Sequence, residues 1–185
     1  GGSYLADGNQ IVRVDNVTRE VTPVTKKTTS TDYCTSYSSG DNAQFRTDYA
    51  RLRVVGADGR FIYATDTCGI RRIDPGSGAV TSLTSSGNFG SPIASVAIAG
   101  KYLYFVDNVY GGLTQIDLDS SRTILLNKST TGAVAADDTA VWIVSGTYLL
   151  KIDPVSGNAV TISDHLATGG HTPTAILSVG DYLYA

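Results

Sequence analysis

Two histidines, His165 and His171, stand six positions apart in the loop SDHLATGGHTP with Asp164 beside the first, and imidazole is a common zinc ligand. A metal site also needs further ligands and partners that orient them, and none is grouped with this pair, so the spacing reads as a surface loop before it reads as a metal centre. Asp66 and Asp107 offer a second chemistry. Each follows an aromatic run in an equivalent place, and a ring of such carboxylates could hold a cation or a substrate. Aspartate in a turn also satisfies local backbone N–H groups, and that structural reading comes first. Asp74, Asp117 and Asp153 open short links such as DPGSG and DPVSG, where Asp and Pro set a turn and Gly supplies a positive φ. Tyr102, Tyr104, Tyr148 and Tyr182 offer aromatic faces suited to a carbohydrate, or to packing between strands. No Gly-x-Ser-x-Gly elbow, P-loop, His-Glu-x-x-His or closely spaced cysteine motif is present. No catalytic, cofactor-binding or metal residue is assigned, and no cofactor is expected.

The elements that carry these residues are short. The chain has 185 residues, 42% of them hydrophobic and 17% charged, enough apolar material for a packed core. Twenty glycines and eleven tyrosines, with frequent Thr, Ser and Val, are the balance of an all-β protein rich in turns. The net charge of −3 and the scattered Lys and Arg argue against nucleic acid as a partner. No apolar run approaches a membrane span, so no membrane insertion is expected of this segment. Methionine is absent, position 1 included, which points to an excised or processed piece of a longer polypeptide.

Residues 59–83, GRFIYATDTCGIRRIDPGSGAVTSL, define a unit of short strands and tight turns that recurs along the chain. The repeats cover about 3–25, 51–84, 95–126, 133–163 and 175–185, and a polar insertion occupies 26–47. The aromatic residues Tyr4, Tyr63, Tyr104, Trp142 and Tyr184 recur at 59, 41, 38 and 42 residues, the first interval lengthened by the insertion. A period near forty with four strands per repeat predicts propeller blades, each burying its apolar faces against its neighbours. The expected fold is therefore an all-β single β-propeller segment with four-stranded antiparallel blades. About four blades are too few for an ordinary ring, so an incomplete arc from a larger propeller is expected.

Within 39–87, the Asp58-Gly59 turn, Ala64-Thr65-Asp66 and Ile70-Arg71-Arg72-Ile73 resemble an NHL-type repeat. The third and fourth repeats follow that pattern loosely: one has Val106-Asp107 without a basic strand, the other Val144-Ser145 in place of the Asp. The resemblance implies a propeller that serves mostly as a rigid interaction platform.

In such a blade the connector to the next blade and the link between second and third strands emerge on the same face. Cys34 occupies the first kind of loop and Cys68 the second, so a Cys34–Cys68 disulfide is expected, pinning the insertion to the following blade. Asn16-Val17-Thr18 and Asn127-Lys128-Ser129 are N-glycosylation sequons, both expected to be exposed. Disulfide and sequons together favour an extracellular or cell-surface location. The function expected is a non-catalytic adhesion, recognition or assembly module of a larger surface protein or filament. Its partner would be a protein or a glycan, including further copies or segments of the same protein. The alternative is a metal-dependent propeller lyase or hydrolase with its site at the axis, although the two histidines on one loop do not reproduce the central histidines of the peptide-amidating lyase.

Overall fold

β-branched and aromatic runs of three to six residues, each closed by a Gly or Asp turn, leave the backbone little choice but short antiparallel strands. The computed structural model describes residues 1–26, 45, 52–84, 93, 95–106, 112–128, 132–166, 173, 175–180 and 182–184. The described residues fall into two compact units, 1–92 and 93–185. In the first, β1 (Gly2–Asp7), β2 (Gln10–Asp15) and β3 (Val21–Pro23) make a three-stranded meander. A four-stranded meander follows: β4 (Arg53–Ala57), β5 (Ile62–Asp66), β6 (Gly69–Ile73) and β7 (Val80–Ser82).

The second unit begins with the four-stranded meander β8 (Ser95–Ala99), β9 (Tyr102–Val106), β10 (Leu113–Asp117) and β11 (Thr123–Asn127). Another is built from β12 (Ala133–Ala136), β13 (Val141–Ser145), β14 (Tyr148–Ile152) and β15 (Ala159–Ser163), and the pair β16 (Leu177–Val179) and β17 (Tyr182–Tyr184) follows. Every pairing between consecutive strands of a sheet is antiparallel. Among the described residues, no helix is long and apolar enough to cross a membrane.

Burial follows strand position within each sheet. All five residues of β5 are buried, whereas β3 is wholly exposed and β15 nearly so. β5 is covered on both faces, which is why it reads as a continuous run and not as an alternation, while the last strands β3 and β15 have solvent beyond them and the first strand β12, beside β8 and β16, is largely buried. In the first unit Ile11, Phe45, Leu52, Ile62, Ala64, Ile73 and Val80 form one core cluster. In the second, Tyr104, Val106, Leu113, Val134, Val141, Ile143 and Ile152 form another. Within that unit β12 lies beside both β8 and β16. The Ser95 hydroxyl donates to the Val134 carbonyl and accepts from its N–H, a lateral link between the first strands of two sheets.

One turn is repeated four times, between the last two strands of each of the first four sheets. The carboxylates of Asp15, Asp74, Asp117 and Asp153 each accept the backbone N–H groups two and three residues on. The hydroxyls of Thr18, Ser77, Ser120 and Ser156 then accept the N–H two residues beyond themselves. The next residue is left-handed in every copy: Arg19 at φ 63°, Gly78 at 76°, Ser121 at 59° and Gly157 at 73°. Glycine occupies that position where the preceding sheet comes close. A Cβ on Gly78 would lie 2.5 Å from the Val24 carbonyl oxygen, and one on Gly157 would lie 2.3 Å from that of Leu126. Leu126 is itself the extra residue of a β-bulge, since Leu113 pairs with Asn127 and Thr114 with Leu125; Ile162 bulges equivalently in β15. The bulges interrupt the exposed edges, a common defence against edge-to-edge pairing.

Candidate functional site

The second unit carries a cleft of about 510 Å³, a volume typical of small-molecule sites. Tyr102 and Tyr104, two apart on β9, project from one face of their sheet. Tyr104 pairs in register with Gln115 of β10, and Gln115 with Ile124 of β11, so the floor is a row across the sheet. The opposite wall comes from the next sheet: Asp137 and Asp138 in the β12–β13 turn, and Pro154 and Val155 in the β14–β15 turn.

Hydrogen bonds fix the floor. The buried Gln115 amide donates both to the Tyr104 hydroxyl and to the Pro154 carbonyl, each at 3.2 Å, tying the two sheets together. Burial pushes the Tyr104 phenol up in pKa, against the smaller lowering effect of Gln115, so it stays protonated. Lys101 at the rim places Nζ 2.9 Å from the Asp117 carboxylate and 5.1 Å from the centroid of the Tyr102 ring. That ammonium, ahead of the Ser120 backbone bond, holds the Asp117 carboxyl far below the usual carboxylate range.

The two aspartates of the wall differ. Asp137 is committed: Oδ1 accepts the backbone N–H groups of Thr139 and Ala140 and the Thr139 hydroxyl, while Oδ2 accepts Ser178 at 3.3 Å. Burial raises its pKa, but these bonds outweigh that effect and leave it lowered. Asp138 is exposed, and its carboxylate has no hydrogen bond or ion pair among the described residues. Its Oδ1 would stand 3.5 Å from a Cβ on Gly100, so it leans over the β8–β9 turn of the neighbouring sheet.

The carboxylates singled out from sequence have structural work. Asp66 is fully buried: Oδ1 accepts the Cys68 N–H at 2.9 Å and Oδ2 lies 3.1 Å from both Nε and Nη2 of Arg71, itself 5% exposed and in contact with Ser82. Its lone pairs are taken by the β5–β6 hairpin, which leaves no room for a cation. Asp74, Asp117 and Asp153 make the turns described above. In the first, the positive φ belongs to Gly78 and not to Gly76. His165 is exposed; its ring meets the neighbouring Asp164 carboxylate and its backbone N–H donates to the Ser163 hydroxyl. His171 and Asp107 lie outside the described residues. No cluster of three His, Cys, Asp or Glu residues suited to a metal ion occurs among the described residues.

Cys68 is buried in the β5–β6 turn, and no free thiol is found among the described residues; Cys34 lies outside them. Asn16 is exposed in its turn, accepting the Ser3 hydroxyl. Asn127, expected beyond a fourth strand, is the last residue of β11 and half-buried, because the bulge at Leu126 brings it back into register with Leu113. Of the four tyrosines, Tyr102 and Tyr104 share the cleft, while Tyr148 and Tyr182 are exposed outside its lining. Gln115 and Asp138 carried no signal in the sequence. The matching Gly100-Lys101 and Asp137-Asp138 turns were the available hint that equivalent loops of neighbouring repeats converge.

No family model and no curated protein matches the sequence. Solved structures do. A chain of the nidogen/laminin complex aligns with 95% of this chain at 16% identity and a TM-score of 0.63. The extracellular domain of a B. thetaiotaomicron protein aligns with 95% at 16% identity and a TM-score of 0.52. This chain spans 62% of the first and 24% of the second. Together with the four-stranded antiparallel meanders, these likenesses show the fold: the chain is all-β and built of β-propeller blades.

Proposed function

We propose that the chain is a non-catalytic extracellular recognition module, an NHL-like propeller segment that engages a protein or glycan partner. The observation that carries this reading is the fate of the carboxylates. Asp66, the described one of the two carboxylates placed by sequence to hold a cation, is consumed by its own hairpin and Arg71, whereas Asp138 faces an open cleft with tyrosines beside it. Within 39–87 the matching elements Ala64-Thr65-Asp66 and Ile70–Ile73 lie on consecutive paired strands, as the NHL-type order requires. The nidogen/laminin likeness runs through both compact units, which supports one propeller segment with repeats at 3–25, 51–84, 95–126, 133–163 and 175–185. That structure is of a nidogen/laminin complex, which supports a protein partner.

The extracellular setting rests on Cys34–Cys68 and on glycans at Asn16 and Asn127. A disulfide closing a loop of that length stabilises by roughly 3–4 kcal/mol on the chain-entropy model. Iodoacetamide labelling of the denatured, unreduced protein should add no mass; two labelled thiols would remove the disulfide.

The test of the function is surface plasmon resonance against a panel of purified secreted glycoproteins, before and after enzymatic deglycosylation, with metal analysis of the same preparation. Saturable binding to at least one and no stoichiometric metal are expected. A stoichiometric metal with no binding would favour the lyase or hydrolase reading instead.

A further inference from the structure

We propose that the cleft between the third and fourth meanders is a saccharide-binding site, with Asp138, Tyr102 and Lys101 as its contacts to the sugar. This rests on the reading of the chain as a recognition module and names a ligand class for it. A pyranose presents an apolar C–H face and a rim of hydroxyls that both donate and accept. The cleft offers the complement. Tyr102, half-buried on the lining, contributes aromatic surface whose negative face attracts C–H edges, and the buried Tyr104 supports the floor beneath it. Both oxygens of the unpartnered Asp138 carboxylate can accept from vicinal hydroxyls. Lys101 commits one bond to Asp117 and keeps further N–H donors for a sugar oxygen.

The remaining polar groups fix the shape and take little part in the contact. Both Gln115 donors are used inside the floor, and Asp137 is saturated by its own turn and Ser178. A cationic side chain is the competing ligand, since Asp138 would attract it. The ammonium of Lys101 already occupies the space beside Tyr102 and opposes a second cation, whereas a neutral polyol uses carboxylate and ammonium together.

Saturation-transfer NMR and calorimetric titration with cellobiose, lactose and N,N′-diacetylchitobiose, and with N-acetyl-arginine amide as the cationic probe, decide between them. At least one disaccharide should bind. Asp138→Ala, at an exposed turn, should weaken it roughly ten-fold, as expected for a charge-assisted hydrogen bond. Val155→Arg, at a position 92% exposed on the rim, should obstruct entry, and Val160→Thr on the far edge strand should change nothing. The proposal is overturned if no disaccharide binds, if binding is indifferent to Asp138→Ala and Val155→Arg, or if the arginine amide alone binds in an Asp138-dependent way. Should sugars fail while the glycoprotein panel still shows saturable binding, the recognition module stands and only its ligand class falls.

Discussion

Replacing Gly157 by alanine separates two costs that the repeated Asp turn superimposes. The first is the left-handed backbone at φ 73°, which penalises any Cβ by about 1 kcal/mol. The second is the 2.3 Å approach of that Cβ to the Leu126 carbonyl oxygen, backbone held in place by a bulge, and displacing it costs about 1–3 kcal/mol. Gly146 provides the control, because it sits at φ 61° with nothing within 4 Å of its Cβ position. Gly146→Ala should therefore cost about 1 kcal/mol and Gly157→Ala about 2–4 kcal/mol. For a chain of this size these correspond to falls in Tm of about 2–4 °C and about 4–16 °C. Ser121→Gly makes the opposite change in the equivalent turn. It relieves strain at φ 59° but adds unfolded-chain entropy, for a net gain of about 0.5 kcal/mol. Thermal unfolding followed by far-UV circular dichroism, with urea titrations for ΔG, measures all three. If Gly157→Ala proves no worse than Gly146→Ala, the contact between the bulge and the turn has no energetic weight and the reasoning fails.

Asp66→Ala leaves Arg71 buried without its partner and should destabilise by about 3–5 kcal/mol in urea unfolding; a loss below 1 kcal/mol would mean the pair is not buried in solution. Asp15, Asp74, Asp117 and Asp153 all have lowered pKa values, the first two and the last chiefly through the backbone N–H of Thr18, Ser77 and Ser156, and Asp117 chiefly through Lys101. A carboxylate with a depressed folded pKa contributes stability above its unfolded value, and that contribution disappears as pH falls through the folded value. Denaturation midpoints should thus stay level down to about pH 5 and decline below about pH 4, and Asp117→Asn should lower stability at neutral pH while flattening the acid decline. An unchanged acid slope in that variant would refute the assignment. In a eukaryotic secreted preparation, intact mass before and after glycosidase should reveal a glycan at exposed Asn16, with occupancy of half-buried Asn127 lower; removal of the Asn127 sequon alone abolishing the shift would contradict this.

The order of the strands was legible because each carries its own local signal. Ser95–Ala99 and Ala133–Ala136 are apolar runs bounded by turn residues, and the structure returns both with those limits. The Asp turns were legible for the same reason: Asp, Ser and Gly act within a few residues of one another, so the fourfold repetition shows in the chain itself. Arg19 and Ser121 were missed, since a left-handed residue other than glycine has no mark in sequence. Contacts between repeats were a matter for the tertiary structure. Asp66 looks the same on paper whether it faces a cation or Arg71, and only the pairing of β5 with β6 puts the guanidinium against it. The cleft is built from residues up to 56 positions apart, Ala99 to Val155, with no local pattern joining them. Asp138 and Gly100 face each other because neighbouring sheets pack side by side, a long-range consequence of burying apolar faces that no window of sequence contains.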